Sequence, residues 1–170
     1  MEALLPAALP PAYRADWDAS DAAMRADGVP EALARRLANT RALGAALDIA
    51  DLSLETGVPL ADVAAVYFGI GERFRILWLF AAVNELPVSG KWPSLARVNL
   101  RDDVWRLHRR LAAAALAVPA DSAEARLAGW VAARDRAVRL AQTRLAELQA
   151  AGTRDFAGLS VAVRELGNLG

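Results

Sequence analysis

The chain has 170 residues, 55% hydrophobic and 24% charged, with 20 basic side chains against 20 acidic ones. That profile belongs to one globular domain able to bury its own core rather than to a disordered chain, and a formal net charge of zero lacks the basic excess expected of a nucleic-acid or anionic-membrane surface. With no Cys and a single His, disulfides, thiolate metal sites and His-rich metal clusters are excluded.

Residues 1–11 are rich in Pro and Ala, and Pro6, Pro10 and Pro11 break any helix there. This stretch reads as a lead-in from an upstream region, without the basic and apolar segments of a signal peptide. Residues 12–170 read as one helical domain. Tyr13 to Ala26 is a candidate helix stopped at Gly28. Pro30 opens the next, and Asn39-Thr40 is expected to break it and cap another. From there Leu43, Leu47, Ala50 and Leu54 recur at spacings of 4, 3 and 4, which predicts their burial along one stripe. Ile49 and Leu52 widen that stripe and predict a helix covered on two sides. Gly57 ends the helix and Pro59 restarts the chain.

Val63, Val66, Tyr67 and Ile70 share the next helical face. Gly69 and Gly71 weaken the helix by about 1 kcal/mol each, so a kink or a tight crossing is expected there. Glu72 to Leu86 resumes the helix. Its Ile76–Val83 portion is apolar nearly all round, yet far shorter than the roughly 20 residues that span a bilayer. After the loop at Pro87–Gly90, Pro93 begins a helix to about Ala117, with Leu100, Val104, Leu107 and Leu111 on one stripe. Asp121-Ser122 marks a turn. Ala123 to Ala150 is the longest candidate helix, with Arg134 interrupting its Leu127–Leu148 seam, and Phe156, Leu159, Val163 and Leu166 align on a last short one. No stretch alternates with period two. The expected fold is all-α, a bundle of roughly seven helices with no sheet.

The constellations that could carry chemistry are weak. Gly69-Ile70-Gly71 lacks the preceding strand and third glycine of a dinucleotide loop, and Ser89-Gly90-Lys91 lacks the rest of a P-loop. His108 is expected on the surface or rim of an Arg-rich face. Asp102 and Asp103 diverge by about 100° on a helix and do not form an acid–base dyad; Asp102 is expected to pair with Arg106 and Asp103 to face a neighbouring helix. Arg97, Arg101, Arg106, Arg109 and Arg110 read as a solvated face or a contact to an acidic partner. The five tryptophans read as core or junction anchors, one or two of them exposed for docking. Thr56-Gly57-Val58-Pro59 followed by Leu60–Ile70 has a faint helix-turn-helix character. Residue chemistry alone reaches no further than a helical domain.

Order and spacing reach further. LLPAALPPAYR comes first, then VPEALARR, YFGIGERF, WPSLAR, LRDD and finally LSVAVREL within FAGLSVAVRELGNLG. In this order the chain resembles, over nearly its whole length, the C-terminal region of the large bacterial NAD-specific glutamate dehydrogenases. The resemblance implies a parent enzyme that oxidatively deaminates L-glutamate to 2-oxoglutarate and ammonia with NAD. Such chemistry needs lysines, an aspartate and a Rossmann site, whereas Lys91 is the only lysine here. No catalytic, cofactor-binding or metal-ligating residue is therefore expected in this segment, and NAD belongs to the parent. The resemblance implies a C-terminal domain that serves docking, oligomer packing or regulation. Its expected partners are the upstream catalytic region and further copies of the parent, in the cytoplasm, with neither nucleic acid nor membrane. Tyr67, Phe68, Trp78, Trp92, Arg97, Arg101, Asp102, Asp103 and Trp105 are the candidate docking or motif positions. The alternative is a free-standing helical interaction or regulatory module.

Overall fold

Proline and glycine set the helix limits in this chain. A computed structural model describes residues 30–77, 95–152 and 156–170, with isolated positions between 18 and 28; side chains at 33, 36–41, 95–102 and 156 lie outside that description. Five helices have bounds among these residues: α1 Glu31–Thr56, α2 Leu60–Arg73, α3 Leu95–Leu116, α4 Ala123–Ala151 and α5 Phe156–Gly167. Pro30 and Pro59 stand at the N-caps of α1 and α2, where a missing N–H does no harm. Gly57 ends α1 in the left-handed conformation at φ 70°, which has no Cβ penalty in glycine. Ser122 caps α4, its Oγ accepting from the Ala125 amide at 3.2 Å. Arg126 donates to the Leu116 and Val118 carbonyls at 2.8 Å each, satisfying acceptors that the end of α3 leaves open.

Among the described residues the fold is all-α, with no strand, and six helices are counted rather than roughly seven, five of them having the bounds given above. One reason lies at Asn39-Thr40, where the expected break is absent and α1 runs unbroken for 26 residues. Interior Asn and Thr each weaken a helix by only about half a kcal/mol, too little to stop one without Gly or Pro. The two glycines of α2 likewise do not kink it. Gly69 instead marks a close crossing: a Cβ there would lie 2.4 Å from the Leu127 side chain of α4. The helical path breaks later, at Phe74 (φ −119°, ψ 27°). A second break falls inside α4 at Arg134 (φ −123°, ψ 15°).

α2 sits centrally and packs on α1, α3 and α4, while α5 closes against α3 and α4. One contiguous core joins Ile49 and Leu52 of α1, Val63, Val66 and Ile70 of α2, Val104 and Leu111 of α3, Trp130 and Leu145 of α4, and Leu159 and Leu166 of α5. Most of the expected stripes are the buried ones. That of α1 is a correction. Leu43, Leu47 and Leu54 are 53%, 70% and 85% exposed, and the opposite stripe of Ala42, Ala45, Asp48, Ile49 and Leu52 is buried. Both faces of α1 are apolar, so periodicity could not choose between them. A small residue decides it, because Gly44 lets Trp105 of α3 approach closely. A Cβ on Gly44 would lie 1.6 Å from the Trp105 ring.

Candidate functional site

α1, α2 and α3 meet around one buried carboxylate. Asp48 projects from the packed face of α1 and is 9% exposed. Its Oδ2 accepts from the Tyr67 hydroxyl of α2 and from the Trp105 indole N–H of α3, both at 2.8 Å. Arg109, one turn beyond Trp105, reaches within 3.8 Å of Asp48 Oδ1 and also pairs with Asp51 and Glu55 further along α1. His108 lies beside it. Its ring stacks on Tyr67 with centroids 4.0 Å apart and planes inclined by 21°, and Nε2 donates to the Tyr67 carbonyl at 2.8 Å. Nε2 therefore carries a proton, since a carbonyl can only accept.

His108 is thus a core residue, 5% exposed, and not the surface or rim position expected. It falls between Leu107 and Leu111 on the same stripe as Val104, a 3/4 spacing that already pointed inward. Asp48 shares the stripe of Ala45, Ile49 and Leu52, so a charge on the packed face was the legible signal there too. His108 also borders a small apolar crevice with Phe74, Leu77 and Leu111.

Of the candidate docking positions, the structure brings Tyr67 and Trp105 together on Asp48, and Phe68 lies edge-on to Tyr67 at 5.9 Å. Asp103 is an exposed residue 3.7 Å from Arg106, and it faces solvent rather than the neighbouring helix expected. Trp78 and Trp92 lie outside the described residues, as do the side chains of Arg97, Arg101 and Asp102. Of the described arginines of α3, Arg109 pairs with α1 carboxylates and Arg110 donates to the Gly167 carbonyl, while Arg106 is an exposed residue 3.7 Å from Asp103.

Chemically the cluster is a tether. The Asp48 carboxylate, the His108 imidazole and the Tyr67 hydroxyl are all turned to neighbouring helices and shielded from solvent. Gly69 and Gly71 lie within α2, where the backbone is occupied by the helix and Gly69 is pressed against Leu127, so these glycines do not fit a dinucleotide pyrophosphate. No group of three or more His, Asp or Glu side chains suited to a metal ion occurs among the described residues. No described helix is long and apolar enough to cross a membrane. The exposed positions of α2 are Leu60, Ala61, Ala65 and Glu72, none of them basic as a DNA recognition helix requires.

A family model described as "Glutamate dehydrogenase, C-terminal" matches residues 1–168. The chain belongs to this glutamate dehydrogenase C-terminal family. Curated relatives include the NAD-specific glutamate dehydrogenases of Pseudomonas aeruginosa, 36% identical over 144 residues, and of Mycobacterium tuberculosis, 36% over 141. That of Halomonas elongata is 33% identical over 156 residues. These alignments cover 84%, 82% and 90% of the chain, but the chain spans only 9%, 9% and 10% of those relatives' lengths. No solved structure matches.

Proposed function

We propose that this chain works as the C-terminal helical domain of an NAD-specific glutamate dehydrogenase, and that its share of the work is packing and docking rather than chemistry. The parent enzyme converts L-glutamate, NAD and water to 2-oxoglutarate, ammonia and NADH. The observation that carries the reading is the family match from residue 1 to 168, set against relatives about ten times longer. The junction around Asp48 supports it. The Asp48 carboxylate holds the Tyr67 hydroxyl and the Trp105 indole, and the His108 ring is bonded to the Tyr67 backbone carbonyl, so the groups that could serve a reaction are engaged across α1, α2 and α3. General catalysis needs such a group within reach of a substrate proton. With the described glycines unsuited to NAD, hydride transfer belongs to the rest of the parent, in the cytoplasm and in a homo-oligomer.

Two proteins test this. The purified 170-residue chain, given L-glutamate and NAD, should produce no rise in reduced-nicotinamide absorbance. The enzyme expressed from the full reading frame should produce one, and deleting this domain should lower its assembly or thermal stability. Turnover by the 170-residue chain alone would refute the reading, as would a reading frame that encodes no catalytic region joined to it.

A further inference from the structure

We infer that the exposed leucine ridge of α1 is a docking seam for an amphipathic helix, with basic residues along one edge, supplied by the remainder of the same polypeptide. The inference rests on the C-terminal-domain reading above and specifies where that domain engages the rest.

The ridge consists of Leu43, Leu47, Ala50 and Leu54, each more than one-third exposed. Spacings of 4, 3 and 4 follow the roughly 3.6-residue turn of an α-helix, so the four positions form one continuous apolar stripe along it. Helices covered on one face normally turn polar residues to solvent on the other, and α1 does not. Its flanks differ. Ala46 and Ser53 lie on one side, small enough for a second helix to approach to roughly 8–10 Å between axes. Asp51 and Glu55 lie on the other. They share Arg109 with Asp48, three carboxylates around one guanidinium, so that edge keeps a net negative charge and favours a basic neighbour.

Area separates this occupant from a second copy. Leu43, Leu47 and Leu54, at 53%, 70% and 85% exposed, present apolar surface on the order of 350 Å², less than half of what an interface between separate chains needs. A stable association of separate chains buries about 800 Å² per partner. A seam this small holds a segment that is already tethered, because a linker raises the local concentration to the millimolar range. About nine-tenths of each curated relative lies outside the matched stretch, so such a segment has ample chain to come from. In an antiparallel pair of two copies, the Asp51 edges would also face each other and repel.

The test places a cysteine at the ridge with Leu47→Cys, in the full-length enzyme and in the 170-residue chain. Maleimide labelling at that position is followed by peptide mass spectrometry. The label should react about tenfold or more slowly in the full-length enzyme, as local protection requires. Hydrogen exchange over the α1 peptide in the unsubstituted proteins gives the same comparison without a mutation. Equal rates in an active full-length enzyme would overturn the docking and leave the parent reading intact. Protection already present in the 170-residue chain would overturn it too, pointing to an internal segment if independent of concentration and to a second copy if it grows with concentration. A reading frame without a catalytic region would overturn both readings together.

Discussion

Replacing Asp48 with Ala removes the acceptor on which three helices converge. The Tyr67 hydroxyl and the Trp105 indole N–H each lose a 2.8 Å bond to the same oxygen. A buried donor left without a partner costs about 1–3 kcal/mol. Tyr67 is 2% exposed and bears the full penalty, whereas half-buried Trp105 recovers part of it from water. Arg109 is half-buried with two other carboxylates at hand, so its share is discounted to a few tenths of a kcal/mol. The sum is about 2–4 kcal/mol, a large part of the roughly 5–15 kcal/mol that holds a domain folded. At this chain length each kcal/mol shifts the melting temperature by about 2–4 °C. A far-UV circular dichroism melt should therefore fall by roughly 5–15 °C for Asp48→Ala. Asp48→Asn keeps an acceptor and should fall by about half as much. In a double-mutant cycle, Asp48→Ala and Tyr67→Phe should couple by about 1 kcal/mol, since the second change removes the donor that the first would strand. A melt within about 1 °C of the unsubstituted protein would show that the junction is not formed, and the account of how α1, α2 and α3 are joined would fail with it.

Two glycines in close crossings should respond differently to Ala. At Gly44 the added methyl meets the rigid Trp105 ring at 1.6 Å, so urea unfolding should show a loss of about 1–3 kcal/mol despite the better helix propensity. At Gly69 it meets the movable end of Leu127, and the gain of about 1 kcal/mol in helix propensity should leave the midpoint nearly unchanged. Ser122→Ala deletes the N-cap acceptor of α4 and should lower stability by about 1 kcal/mol, while Ser122→Asp should restore it.

Where the sequence carried strong local signals, it was readable. Pro30, Gly57, Pro59 and Ser122 mark helix ends because each changes the backbone's own options. The stripes of α2 through α5 point inward because each of those helices has one apolar face. α1 has two, and the choice between them depends on how closely Trp105 can approach Gly44, a contact 61 residues away in the chain that periodicity cannot weigh. The junction was hidden for a related reason. Asp48 and His108 lie on apolar stripes, which point each inward but name no partner for either. Only the meeting of α1, α2 and α3 shows that the partners are Tyr67 and Trp105, two of the candidate docking or motif positions.

The break at Arg134 ties the middle of α4 to the far end of the chain. Arg134 lies 5.7 Å from the centroid of the buried Trp130 ring, and its Nε donates to the Leu169 carbonyl at 2.6 Å. Leu169 itself is buried. The last residues therefore act as a latch on the longest helix rather than as a loose tail. Fusion partners and purification handles joined after Gly170 would pull on that latch, so labels for any of these measurements belong elsewhere on the protein.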